Sequence, residues 1–289
     1  VSASPRIVVT GATGMLGRTL VPAMVAADCD VVNSAPAGDG KRGVDLTDRR
    51  QAHAMLDAVS PDVIVNLVGL TNVDRCEEAP DEAYRLNVLT VENIGSWDKA
   101  ASGDCHLIHI STDQVYDGRR VHKENDVTIL NTYAMTKYAG ELAAQNIRAT
   151  VLRTNFFGPS AHPSRVSLSD WVQNNLRRIQ PFTVFDDVLF SPLTMVTLSR
   201  MLIAAARARI PGVFNLGSRD GLSKADFAAL VARRAGYDPA GLTRGSAASL
   251  NLRARRPTDM RMCCDAFEGA FDLKLPTLAQ EIDHMETTP

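Results

Sequence analysis

Residues 6–17 read RIVVTGATGMLG, and their order decides what kind of sheet the rest of the chain builds. A β-branched run over 6–10 leads into Gly11, Gly14 and Gly17, and a stretch of helix formers over 18–27 follows. Strand, tight glycine turn and helix, in that order, open a dinucleotide-binding unit. Gly11 permits the sharp turn. Gly14 lets backbone amides approach a pyrophosphate at the helix N-terminus, and Gly17 allows helix and strand to pack closely. The spacing is GxxGxxG rather than GxGxxG. Pro22 falls inside this helix, where it removes a hydrogen bond at a cost of roughly 3 kcal/mol, so a kink or a restart is expected there.

Moving outward, residues 29–33 read as a second strand. A dinucleotide fold places an acidic residue near its end to bind the adenosine ribose diol, yet Asn33, Ser34 and Ala35 stand there. Without that carboxylate a 2′-phosphate is not repelled. Lys41 and Arg42 follow shortly, so NADPH is the expected cofactor, with NADH as the alternative. Residues 44–46 read as a third short strand and 48–59 as a helix with one apolar face. Residues 62–68 (DVIVNLV) form an apolar run suited to a buried parallel strand. It ends at Gly69, Leu70 and Thr71, at the carboxyl edge where the cofactor is expected. Asn66 within it is costly unless hydrogen-bonded, which predicts that it fixes nearby backbone. Asn87 lies in a predicted helix over 81–97 and reads as a capping or core amide.

The second informative stretch is 106–141, HLIHISTDQVYDGRRVHKENDVTILNTYAMTKYAGE. An apolar strand delivers Ser111, Thr112 and Asp113 at its carboxyl end. Tyr133 and Lys137 then fall four apart in a helix predicted over 132–145, on one face of it. A neighbouring ammonium favours the phenolate and lowers a pKa that is ordinarily about 10. A drop of about three units corresponds to roughly 4 kcal/mol, more than one partly wet ammonium supplies. An oxidised nicotinamide ring would be the second cation. On spacing alone such a pair is a weak signal, and a half-buried tyrosine beside a solvated lysine is the commoner reading.

Strand and helix alternate regularly up to the strand over 150–154. The fold class expected is α/β, a doubly wound, Rossmann-type parallel sheet over 1–155. A smaller mixed α/β unit over 156–289 would take the substrate, with a return to the first unit near 190–207. The Ser-, Pro- and His-rich residues 160–169 read as a loop over the cleft. At 289 residues the chain is long enough for two cores. A net charge of −2 gives no reason to expect nucleic acid or an anionic membrane as partner. There is no run long enough to span a bilayer and no secretory signal ahead of the first strand. The five cysteines are scattered without metal spacing. Together these predict a reduced, cytoplasmic protein.

The motifs TGATGMLG (10–17), NLVG (66–69), ISTDQVYDG (110–118), YAMTK (133–137), LRTNFFGP (152–159) and ARRPTDM (254–260) occur in that order. Together they resemble the extended short-chain dehydrogenase/reductase superfamily. Within it, STDQVYDG and the short C-terminal half are most similar to the dTDP-4-dehydrorhamnose reductases. The resemblance implies reduction of a nucleotide-linked 4-keto-6-deoxy sugar. Tyr133 would protonate the ketone oxygen, Thr112 would hydrogen-bond it, and Lys137 would hold the nicotinamide ribose. Thr13, Gly14, Met15 and Leu16 would line the pyrophosphate, with Ser34, Asp45 and Leu46 around the adenosine. Asn66, Gly69, Leu70, Thr71 and Asn87 would flank or support the middle of the cofactor. Thr71, Asp113, Asn155 and Phe156 would border the sugar.

There are two departures from the subfamily pattern. Phe156 stands where tryptophan is common, which implies a differently shaped sugar site. Arg18 and Thr19 replace a metal-binding glutamate that ties subunits together in some members. No metal is therefore expected, and a homodimer does not follow from that contact. Two other readings stay open. One is an epimerase or dehydratase of the same superfamily, although no glutamate pairs with Thr112 and no second acid is evident. The other is a non-catalytic, cofactor-binding regulatory subunit.

Overall fold

The computed structural model describes residues 4–34, 43–101, 103–178, 182–249 and 252–285. Its centre is a six-stranded sheet. The strands are β1 (Arg6–Thr10), β2 (Asp30–Ser34), β3 (Val63–Asn66), β4 (His106–Thr112), β5 (Ala149–Thr154) and β6 (Gly212–Leu216). They lie side by side as β6-β5-β4-β3-β1-β2, every pair parallel. Parallel strands covered on both faces need apolar side chains on both, and β1, β3 and β5 satisfy this. Alternation along β1 shows it: Ile7 and Val9 join Leu16, Leu20 and Met24 in one core, while Val8 joins Ile64, Leu107 and Val151 in another.

The helices are α1 (Met15–Ala26), α2 (Arg49–Val59), α3 (Val73–Glu78), α4 (Pro80–Tyr84), α5 (Thr90–Ala100), α6 (Thr132–Ala144), α7 (Leu168–Arg177), α8 (Met195–Ala208), α9 (Lys224–Arg234), α10 (Asp265–Phe271) and α11 (Leu278–Asp283). α1 and α8 cover one face of the sheet, with Leu198 and Leu202 of α8 in the core that holds Leu20. α2, α5 and α6 cover the other through Leu56, Val91, Ile94 and Ala144. A separate cluster joins Phe157, Val172, Val184, Phe190, Phe227 and Val231. Its centre is the Phe227 ring, edge-on to Phe157 at 4.9 Å and to Phe190 at 5.3 Å. The chain leaves the sheet after β5, builds much of this cluster, and comes back to the sheet with α8 and β6. After β1 the chain crosses to β2 on one side and then to β3 on the other. The crevice opens at that reversal, outside the carboxyl ends of the strands.

Three local expectations differ from what is found. Residues 44–46 are not a strand. The Asp45 carboxylate accepts from the Thr47 backbone N–H and hydroxyl, both at 2.8 Å, and makes a turn. Asp48 then caps α2. Such local bonds compete with strand pairing. Pro22 does not interrupt α1, because it faces solvent and water can serve the carbonyl it leaves free. The helix expected over 81–97 carries a π-helical turn, Arg85–Leu89, between α4 and α5. Lys41 and Arg42 lie outside the described residues.

Beneath β4 the layers are tied together by a buried ion pair. Arg153 of β5 donates from Nη2 to Glu141 of α6 at 2.6 Å, with the side chains 3% and 0% exposed. Ser111 of β4 donates to the same carboxylate. Arg153 also reaches the Tyr116 hydroxyl at 2.7 Å, and that hydroxyl donates to Asn215 of β6 at 2.6 Å. Breaking a buried pair costs far more than replacing it whole. Glu141→Gln is therefore expected to lower unfolding stability by about 3–5 kcal/mol. The double variant Glu141→Leu/Arg153→Met should recover most of that loss. Urea unfolding of the three proteins measures both. A single variant as stable as the unaltered chain would show that the pair does not hold the layers.

Candidate active site

The glycine turn forms one wall of the crevice. Gly11 has φ +70°, and a Cβ there would lie 3.0 Å from the Leu67 carbonyl carbon at the end of β3. Only glycine fits both the angle and the approach. A Cβ on Gly17 would come within 2.5 Å of Ala12 O. Gly14 is the N-cap of α1. It brings no side-chain cap, and no acidic residue follows in the first turn. The N–H groups of that turn are left for an external anion.

From this turn a groove runs both ways. One part, a cavity of about 390 Å³, extends past Thr13 to Val44, Asp45, Leu46 and Thr47. The other, about 290 Å³, is lined by Met15, Leu16 and Gly17 and runs past Thr71 to Thr112, Asp113, Tyr133, Lys137, Asn155 and Phe156. Gly11, Gly14, Gly69 and Arg165 line both, so the parts are continuous. The glycine turn and the Tyr–Lys pair, far apart in sequence, share this one groove.

Two buried amides hold its floor. Asn66 accepts from Thr10 Oγ1 at 2.7 Å and from Val68 N at 3.2 Å, which locks the exit of β3. Asn87, inside the π-helical turn, accepts from Leu70 N at 2.8 Å and donates to Leu70 O at 3.2 Å and to Thr136 Oγ1 at 2.9 Å. The inserted residue turns this amide toward the 69–71 segment and α6 together. π-Helical turns of this kind recur at functional sites.

Asn131 caps α6, accepting from Ala134 N at 2.8 Å, and fixes where the helix that carries Tyr133 and Lys137 begins. Lys137 Nζ donates to Ile110 O at 2.6 Å. Burial lowers its pKa to about 8, while Glu141 one turn on works to raise it. For Tyr133 the direction opposes the sequence expectation. Burial raises the phenol pKa above its ordinary value, and the charge of Asp113 adds to that, with only the Thr112 hydroxyl pulling it down. Lys137 is directed at the Ile110 carbonyl, and burial sets the direction for the phenol. At neutral pH the phenol is protonated.

Asp113 supplies what the sequence reading did not find, a second acid in the groove. Burial raises its carboxyl to about 6, opposed by a hydrogen bond from Asn155 and by the charge of Lys224. Asn155 Nδ2 donates to it at 2.7 Å. The reading therefore missed Lys224, and it missed Arg165 and His162 on the groove wall. No local pattern marks any of the three. Ser34 ends β2 and does not line either cavity, and neither does Leu70. Among the described residues, no three His, Cys, Asp or Glu side chains come together to hold a metal.

A family model described as the RmlD substrate binding domain matches residues 5–288. The chain is 30% identical over 306 residues to the dTDP-4-dehydrorhamnose reductase of Salmonella typhimurium, covering 97% of each. It is 28% identical over 292 residues to the probable low-salt glycan biosynthesis reductase Agl14 of Haloferax volcanii, covering 96% of each. Among solved structures, the dTDP-4-dehydrorhamnose reductase of Bacillus anthracis in complex with NADP shares the fold. Its TM-score is 0.88 at 21% identity, covering 98% of this chain and 99% of that one.

The floor can be tested through Asn87. Asn87→Ala leaves the half-buried Leu70 N–H and carbonyl, and the buried Thr136 hydroxyl, without this partner. Each such group costs about 1–3 kcal/mol, so a loss of about 2–4 kcal/mol in urea unfolding is expected. An unchanged midpoint would show that the π-helical turn does not support the 69–71 segment.

Proposed function

The chain belongs to the RmlD substrate binding domain family, and from that premise we propose that it is an NADPH-dependent reductase of a nucleotide-linked 4-keto-6-deoxy sugar. The proposed reaction is of the dTDP-4-dehydrorhamnose reductase type, within dTDP-rhamnose biosynthesis. One observation carries the reading. Thr112, Tyr133 and Lys137 converge at one end of a groove whose middle is an uncapped helix N-terminus behind a glycine turn.

The residues fit a dinucleotide. The turn leaves room only for backbone at Gly11, and the α1 N–H groups suit a pyrophosphate. The far cavity at Asp45 and Leu46 is of a size and apolarity that suit an adenosine. At the end of β2, Asn33 and Ser34 bring no carboxylate against a 2′-phosphate, which favours NADPH, with NADH still accommodated. When bound, the reduced nicotinamide supplies hydride to the ketone carbon. Tyr133, protonated at neutral pH, gives its proton to the ketone oxygen. Thr112 donates a hydrogen bond to the same oxygen as charge develops there. Lys137 holds the ribose from the groove floor. Asp113, ionised above about pH 6, accepts from a sugar hydroxyl, and Phe156 closes the side where relatives carry a larger ring. No helix among the described residues is long and apolar enough to cross a membrane. All five cysteines are free thiols, which favours the reducing cytoplasm.

Two outcomes are expected. With NADPH and a dTDP-4-keto-6-deoxyhexose, Tyr133→Phe should lower kcat/KM by about 100-fold or more while cofactor affinity is unchanged, read from reduced-nicotinamide absorbance and a binding titration. Turnover at the rate of the unaltered enzyme would remove Tyr133 as the acid. The second outcome concerns pH. Because burial depresses the Lys137 pKa to about 8, its ammonium is present below that pH and lost above it. kcat/KM should therefore fall as pH rises through about 8, and a profile flat to pH 10 would contradict the role given to Lys137.

A further inference from the structure

The loop over 158–167 joins the short strand Phe156–Phe157 to α7 and borders the groove at His162 and Arg165. We propose that Arg165 of this loop, with His162 beside it, is the cationic clamp on the cofactor's pyrophosphate. The inference rests on the reading of the groove as a nicotinamide dinucleotide site.

Arg165 lines both cavities, together with Gly11, Gly14 and Gly69, so it stands where the two parts meet. The first turn of α1 opens at the same place. That turn brings backbone dipoles and no side-chain cap, and the nearby Arg18 does not line the groove, its Nε donating to Thr13 O at 3.0 Å. The groove's other charged side chains lie toward its ends, Asp45 on one side and Asp113 and Lys137 on the other. An anion at the junction would meet one guanidinium, that of Arg165. Arg165 is exposed and makes no hydrogen bond or ion pair among the described residues. His162 lines the same wall, and its imidazole sits close enough to Arg165 and Arg18 to feel both charges. A guanidinium offers a planar, paired set of donors that matches phosphate oxygens. The cofactor would thus be held from two sides, by α1 on the sheet and by a loop that leads into the second core.

The test uses the full chain and titrates NADPH and NADH separately by nicotinamide fluorescence. Arg165→Ala should weaken both cofactors by about tenfold or more and to the same extent, because both carry the pyrophosphate. Arg165→Lys should recover part of the loss, and the salt dependence of binding should be shallower in the alanine variant. The melting temperature without cofactor should not move, since the side chain is exposed. Unchanged affinity in the alanine variant overturns the clamp. So does a loss confined to NADPH, which would put the guanidinium on the 2′-phosphate instead. An unaltered chain that binds neither cofactor overturns the functional reading itself, and the clamp with it.

Discussion

The structure depends on one close approach, the passage of the chain at Gly11 against the end of β3. A Cβ at that point would sit 3.0 Å from backbone at Leu67, and the φ of +70° excludes most side chains independently. Because the turn is so tight, α1 starts immediately above the sheet with its N-terminus at the crevice. Because β3 ends under the same turn, the chain emerging from it at 67–71 becomes the opposite wall. Two polar residues at the sheet edge, Thr10 and Asn66, are joined at 2.7 Å and keep those strand ends level. The groove is a consequence of backbone packing before any ligand is considered.

The second constraint is how α6 lies on β4. Two contacts one turn apart hold it there, Lys137 on the Ile110 carbonyl and Glu141 on Ser111, while Asn131 at the cap donates to the Arg255 carbonyl. Glu141 belongs to the ion pair with Arg153, which reaches on to β6 through Tyr116 and Asn215. A helix fastened at this many points cannot rotate freely, so the phenol and the ammonium keep fixed positions relative to Thr112. The same network raises no conflict with the core around it, because every charged member has a charged or hydrogen-bonding partner.

The glycine turn, the parallel strands and the Tyr133–Lys137 helix were legible because each is set by local covalent geometry or by a short period. Gly11 announces a turn, and apolar runs such as 62–68 announce buried strands. Where the reading failed, the deciding contact was elsewhere. Asp45 looked like the middle of a strand, but its side chain binds Thr47 two residues on. The π-helical turn at Asn87 is settled by Leu70 and Thr136, the latter 49 residues away. Asp113 reads as a neighbour of the sugar, but its carboxyl is raised to about 6 by walls that bury it, against the hydrogen bond from Asn155, 42 residues away. Arg165 sits in a stretch with no periodicity at all, and only folding brings it beside Gly14.

Burial also inverts the expected relation between the two central titratable groups. In water a phenol and an ammonium lose their protons at nearly the same pH, about 10. Desolvation disfavours the charged form of each, and the charged forms lie on opposite sides of the two equilibria. It therefore pushes Tyr133 up and Lys137 down, to about 8. The gap between them opens in one direction: the ammonium becomes the better acid and the proton stays on the phenol. In the proposed reaction, a site arranged this way starts with the proton already on the phenol oxygen. A neighbouring proton source is ready to restore it afterwards. The lysine thus matters through its own acidity as well as through its charge, and that acidity comes from being buried under the strand end at Ile110.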